Sequence, residues 1–380
     1  MGTVDTSAWE HAGLYKPESP GATERLALLE YLTERGATIE QMVEAHNLGG
    51  LPGVAGQLIG LHQPPPITIE ELAARRGTTP EMVQRILLAA GLPADAQGRV
   101  PGTLDPLVAT FLQGASIMGE EAILAFTRVL GAASTNIAEA AVALFYSELG
   151  PGSGREGTDE LARAHMSERA TLAFTAVPEA LSRVLLAQFD RAVRRAAVVR
   201  GPAWMLETEE ARDSEMVALG FVDLVGSTAW AEGLDLRDQS MALARFESDA
   251  WSSAVLAGGR VVKMIGDEAF FVAPTVDAAC RIALEVCRAV ENDGLLPPAR
   301  AAVGRGVVTS REGDYFGPVV NLVSRLVKAA APGSVLVTAD AAGELTGDGW
   351  RLTPLAPLSL RGVEQPIEAT EVTASTPAVP

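Results

Sequence analysis

Residues 261–272 read VVKMIGDEAFFV. Two short runs rich in valine, isoleucine and phenylalanine flank Gly266-Asp267-Glu268, the pattern of two strands joined by a tight turn. A hairpin built to be buried is a poor place for charge, because an unpaired ion in an apolar interior is costly. Yet Lys263 stands in the first run and Asp267 at the tip. Those two residues decide how the rest of the chain is read.

Two more stretches break an apolar pattern in the same way. FVDLVGST (221–228) sets Asp223 inside a strand-like run, followed by a Gly226-Ser227-Thr228 turn whose backbone amides suit a phosphate. GDYFGPVVNLVSR (313–325) sets Asp314 ahead of a helix opening near Pro318, with Asn321 and Arg325 at i, i+4 on one face. From about Met216 onward, VALGFVDLV, GRVVKMIG, EAFFVAP, RAAVGRGVV and SVLVTA alternate with helical segments, which predicts a layered α/β sheet. Each motif alone has an ordinary explanation as turn chemistry, a cap or a solvated helix face. All of them in this order, within one domain-sized stretch, point to chemistry.

The first half reads differently. ATERLALLEYLTERG, TIEQMVEAHNLGG, TIEELAARRG and TPEMVQRILLAAGLP are capped helical patterns, and alanine-rich ones follow over 106–149 and 158–199. The expected organisation is an all-α domain over 1–200, a linker over 201–215, an α+β domain over 216–373 and a tail over 374–380. A length of 380 residues at 48% hydrophobic content suits two such cores.

Thirty Lys plus Arg against 48 Asp plus Glu give a net charge of −18, which disfavours nucleic acid as a partner. TIEELAARRGTTPEMVQRILLAAGLP (68–93) looks like a helix-turn-helix, but Glu70, Glu71 and Glu81 offset Arg75, Arg76 and Arg85 where a DNA reader needs excess positive charge. No basic start followed by an apolar run marks a secretory signal. The longest uncharged stretch, 45–69, is interrupted by Pro52 and by three prolines at 64–66, so no integral membrane segment is expected. Cys280 and Cys287, seven apart on one helical face, read as buried reduced thiols, and a cytoplasmic location suits them.

On the motifs around Asp223, Lys263, Asp267, Asp314, Asn321 and Arg325, residues 216–373 closely resemble the class III nucleotide cyclases. The resemblance implies a ferredoxin-like α+β fold in which Asp223 and Asp267 hold two divalent metal ions, Mg²⁺ or Mn²⁺. It implies that Lys263 and Asp314 contact the purine and that Asn321 and Arg325 serve the transition state. Arg300 in RAAVGRG and Arg361 in SLRGVEQP fall where that family places triphosphate contacts. Catalytic domains of the family pair head to tail and share sites between chains; one chain carrying the whole set implies a homodimer. Adenine offers an acceptor at N1 and a donor at N6, which a donor-only ammonium and an acceptor-only carboxylate complement, so Lys263 with Asp314 favours ATP over GTP.

A helical domain, a linker and then a cyclase domain, together with FTRVLGAASTNIAEAAVALFYSEL (126–149), also resemble the soluble mycobacterial adenylyl cyclases. In those, the helical domain inhibits the catalytic one and responds to pH and fatty acids. The resemblance implies a regulatory first half with a fatty acid as candidate effector. None of the four histidines, His11, His46, His62 and His165, falls near the linker where such a pH switch draws on them. The competing readings are a nucleotide-responsive helix-turn-helix regulator with a non-catalytic cyclase-like domain, and a diguanylate cyclase, which GDEAF echoes without the second glycine of that signature.

Overall fold

The computed structural model describes residues 6–60, 65–149, 159–200, 214–346 and 348–375. They form two compact units that part between Ala187 and Gln188. The expected linker falls on residues outside this description except for Ser214 and Glu215, which already belong to the first strand of the second unit.

The first unit begins with α1 (Ser7–His11), α2 (Ala22–Glu34), α3 (Ile39–Asn47) and α4 (Val54–Gly60). A second group follows: β1 (Ile67–Thr68), α5 (Ile69–Arg76), α6 (Pro80–Ala89), β2 (Arg99–Val100), α7 (Asp105–Met118) and α8 (Glu120–Leu149). Then come α9 (Glu160–Phe174) and α10 (Val177–Arg200), which runs across the boundary between the units. Local chemistry sets these ends. Thr38 with Gln41, and Thr68 with Glu71, form reciprocal capping boxes, and Gly77 closes α5 in the left-handed region at φ 63°.

Leu28, Leu29, Leu32 and Met42 centre one core, and Leu72, Val83, Ile86 and Phe111 a second. The unit is helical except that β1 and β2 pair antiparallel, Ile67 opposite Val100. In the helix-turn-helix stretch, Arg76 grips Asp105 with two bonds of 2.6 Å, and Arg85 meets Glu120 at 3.2 Å and Glu121 at 2.8 Å. Among the described residues one run, Glu160–Ala197, is long and apolar enough by composition to cross a membrane. It is broken at Thr175–Ala176 between α9 and α10 and carries a Glu179–Arg183 ion pair at 2.9 Å.

The second unit is built on β3 (Ser214–Leu224), α11 (Ser227–Glu232), α12 (Leu236–Leu256), β4 (Arg260–Ile265), β5 (Glu268–Ala273), α13 (Val276–Asp293) and β6 (Ala299–Arg311). It is completed by β7 (Asp314–Phe316), α14 (Pro318–Ala329), β8 (Val335–Thr338), α15 (Ala339–Ala342), β9 (Trp350–Pro354) and β10 (Ala369–Ala374). The sheet order is β4-β5-β3-β6-β8-β10-β9, with β7 folded back on β6. The succession β3-α12-β4-β5-α13-β6 is a split βαββαβ unit, the ferredoxin-like arrangement. Its strands pair antiparallel, and β8 joins β6 in parallel.

Alternation along the strands divides the interior into two layers. Ala218, Val222 and Phe271 face α12 and α13, where they meet Phe246, Ile282, Val286 and Val290. Val217, Leu219, Phe221 and Phe270 face α14, where they meet Val323, Leu326 and Val327. Phe221 and Phe270 stack 4.6 Å apart and nearly parallel. Gly220 lets the strands close, since a Cβ there would stand 2.4 Å from the Phe271 ring. Cys280 and Cys287 lie buried in the α13 layer, and burial pushes both thiols up to about 12.

Candidate active site

The strand period that puts Val217, Leu219 and Phe221 beneath α14 puts Asp223 there too, at the end of the strand and only 3% exposed. Directly opposite it stand Glu268 on β5 and Arg300 on β6. One row across three adjacent strands therefore reads Glu268, Asp223, Arg300. Arg300 donates from Nε to Asp223 Oδ2 at 2.8 Å and from Nη1 to the Lys328 carbonyl at 2.8 Å. Lys328, from the last turn of α14, lays its ammonium over the row, on Asp223 Oδ1 and on Glu268 Oε2 at 2.7 Å.

Asp267 sits beside the row at the hairpin tip, where Gly266 takes φ 64°. Its carbonyl accepts from Leu224 N at 3.2 Å, and its carboxylate accepts from the Ser227 hydroxyl at the start of α11. The electrostatics of the row are coupled. Burial raises the pKa of Glu268; Lys328 opposes that shift, and the neighbouring Asp223 and Asp267 add to it. Burial by itself would lower the pKa of Lys328, but its bonds to Asp223 and Glu268 outweigh that and hold it above the ordinary lysine range.

A second group forms 51 residues apart in sequence, where the Lys263 ammonium donates to Asp314 Oδ2. Lys263 lies on β4 just past an irregular step in its pairing with β5. Asp314 opens β7 after a tight reversal with Glu312 at φ 55° and Gly313 at φ 82°. Arg260 braces that reversal, donating to the Gly313 carbonyl at 3.0 Å with its guanidinium 5.1 Å from the Tyr315 ring.

The third group is the outer face of α14. Val323, Leu326 and Val327 hold the helix to the sheet and leave Asn321, Arg325 and Lys328 exposed. Arg325 donates to the Gly362 carbonyl at 2.8 Å, which places it beside the turn carrying Arg361. Among the described residues neither Asn321 nor Arg325 hydrogen-bonds with Asp223 or Asp267. Thr228 and Arg361 are exposed, and Gly226 holds φ 70° ahead of the six-residue α11.

Sequence reasoning overlooked two participants, Glu268 and Lys328. Glu268 reads as part of the turn, and Lys328 as a basic residue favoured in any last helical turn. The available signal was period: Glu268 shares the β5 face of Phe270, and Lys328 continues the Asn321–Arg325 stripe at i+7.

The carboxylate group suits a hard divalent cation, which prefers oxygen donors, and two cationic side chains already stand among these oxygens. Among the described residues no three acidic, histidine or cysteine side chains stand ready at metal-holding separation.

No family model matches the chain. A Mycobacterium tuberculosis protein named uncharacterized protein Rv2212 is 30% identical over 378 residues, 97% of this chain and 94% of its own length. The pH-sensitive adenylate cyclase MT1302 of the same species is 29% identical over 355 residues, 90% of this chain and 85% of that protein. An adenylate cyclase of Glutamicibacter nicotianae is 41% identical over 131 residues, 34% of this chain and 32% of that protein. The chain belongs to the class III adenylyl cyclase family.

Proposed function

We propose that this chain converts ATP to 3′,5′-cyclic AMP and pyrophosphate as a head-to-tail homodimer with sites shared between the two copies. The observation that carries the reading is the Lys263–Asp314 pair. The fold brings a donor-only and an acceptor-only group side by side, in the combination that complements the N1 and N6 positions of adenine. In the free chain the two satisfy each other. Adenine enters by parting them and offering each a replacement partner.

Asp223 and Asp267 are the residues that would hold two Mg²⁺ or Mn²⁺ ions, which, when bound, acidify the ribose 3′-hydroxyl and neutralise the triphosphate. Arg300, proposed for the triphosphate, also bonds Asp223 and holds that carboxylate in place. Ser227 does the same for Asp267. The Gly226–Thr228 turn still offers amides to phosphate. Asn321 orients the ribose so that its 3′-oxygen lies in line with the α-phosphorus. Arg325 leaves the Gly362 carbonyl to meet charge growing on the α-phosphoryl oxygens, and Arg361 beside it serves the triphosphate. Among the described residues Asn321 and Arg325 make no bond to Asp223 or Asp267, which is compatible with their presentation by a second copy.

The first unit is assigned a regulatory role, with a fatty acid as candidate effector, in a cytoplasmic enzyme. Comparing turnover of the full chain with that of residues 205–380 tests the regulation, and equal rates at every pH would sink it. For the reaction, purified protein is incubated with Mn²⁺ and either ATP or GTP. Cyclic AMP is expected; cyclic GMP as the main product, or no cyclic product at all, overturns the assignment.

A further inference from the structure

Neither the motifs nor the proposed mechanism account for Glu268 or for Lys328, whose ammonium lies over the carboxylate row. That single ammonium is in contact with two carboxylates from different strands, Asp223 on β3 and Glu268 on β5. A positive charge already stands between oxygens on the face where a divalent cation is to bind. The two cations of the row differ in how firmly they are held. Arg300 rises from the sheet itself, only 19% exposed, and is tied both to Asp223 and to a backbone carbonyl. Lys328 reaches in from α14 on a flexible four-carbon stem and remains half exposed. Of the two, Lys328 is the one that can leave.

We propose that Lys328 is a built-in counter-ion of the metal cradle: a divalent ion reaches Asp223 only by displacing the Lys328 ammonium from between Asp223 and Glu268. The inference rests on the metal-binding reading above. With the carboxylates already compensated, a free metal ion gains only the difference between its own attraction and the lysine's. A metal ion arriving with a triphosphate brings anionic oxygens that the displaced ammonium can meet. The chain therefore binds the metal weakly alone and well as the metal–nucleotide complex, which protects the cradle from occupation without substrate.

The test is Mn²⁺ binding to the full chain without nucleotide, followed by the paramagnetic resonance signal of free Mn²⁺. Lys328→Gln keeps a hydrogen-bond donor and removes the competing charge; it is expected to tighten Mn²⁺ binding about tenfold, the equivalent of about 1.4 kcal/mol. Lys328→Arg keeps the charge and is expected to bind as weakly as the wild type. If Asp223→Ala abolishes binding while Lys328→Gln matches the wild type, the counter-ion role alone is overturned. If Asp223→Ala binds Mn²⁺ as the wild type does, the metal reading falls and this inference with it. A second measurement needs no variant: acetylation of Lys328, mapped by mass spectrometry, is expected to rise when Mn²⁺ saturates the wild type. Unchanged labelling overturns the displacement.

Discussion

The two faces of the catalytic sheet are made by the same strands and behave as opposites. Beneath α12 and α13 the strands present an apolar layer, to which α13 adds two buried thiols. Beneath α14 the layer is equally apolar at its centre, but its end carries Glu268, Asp223 and Arg300 in one row. Adjacent positions on a strand are thus split between holding the domain together and holding charge. Phe270 and Phe271 are neighbours in sequence and lie on opposite sides of that division.

The division can be broken from either side. Phe271→Ala empties a fully buried site on the quiet face and is expected to cost about 3–5 kcal/mol in chemical denaturation. Asp223→Ala strikes the charged face and is expected to lower cyclic AMP formation by about a hundredfold or more while the circular dichroism spectrum stays native. A variant that lost fold and activity together would show that the faces are not separable. Lys263→Glu is expected to reduce turnover of ATP by roughly tenfold to a hundredfold with less effect on GTP, read as the ratio of the two kcat/KM values.

The faces should also differ in the sign of their response to pH, measured without metal. Burial raises the pKa of Glu268, so its proton is held more tightly in the folded chain. The stability it contributes is present below the ordinary glutamate range and lost as pH rises through the raised value. Relative to the wild type, Glu268→Gln should therefore gain stability across that window. On α13, Asp277 is held below the ordinary range by its bond to Arg281 and by the Trp350 indole N–H at 2.9 Å. Its contribution is present above the ordinary aspartate range and lost as pH falls through the depressed value, so Asp277→Asn should lose ground only on the neutral side. The exposed ion pair limits that last effect to about 0.2–1 kcal/mol. Thermal midpoints between pH 3 and pH 8 read both slopes.

Legibility followed the same division. Asp223, Lys263, Asp267 and Asp314 stood out in the sequence because charge inside an apolar run is an anomaly that needs a cause. Glu268 and Lys328 sat where acidic and basic residues are ordinary, in a turn and at a helix end, so composition gave no warning of the cross-strand register that joins them. Arg300 was noticed, but its bond to Asp223 was not foreseen, because its position opposite that residue comes from the pairing of β3 with β6, strands far apart in the chain. The short β1–β2 pair was missed since two residues carry no period to detect. The strand start at Ser214 was missed because Ser214 and Glu215 follow a run of charge that reads as linker.

The in-register row of Glu268, Asp223 and Arg300 also bears on how the sheet assembles. Were β5 to slide by one residue against β3, Glu268 would turn from α14 toward the greasy layer around Phe246, where an unpaired carboxylate is severely penalised. The charges thus act as a registration mark that penalises a misaligned β5.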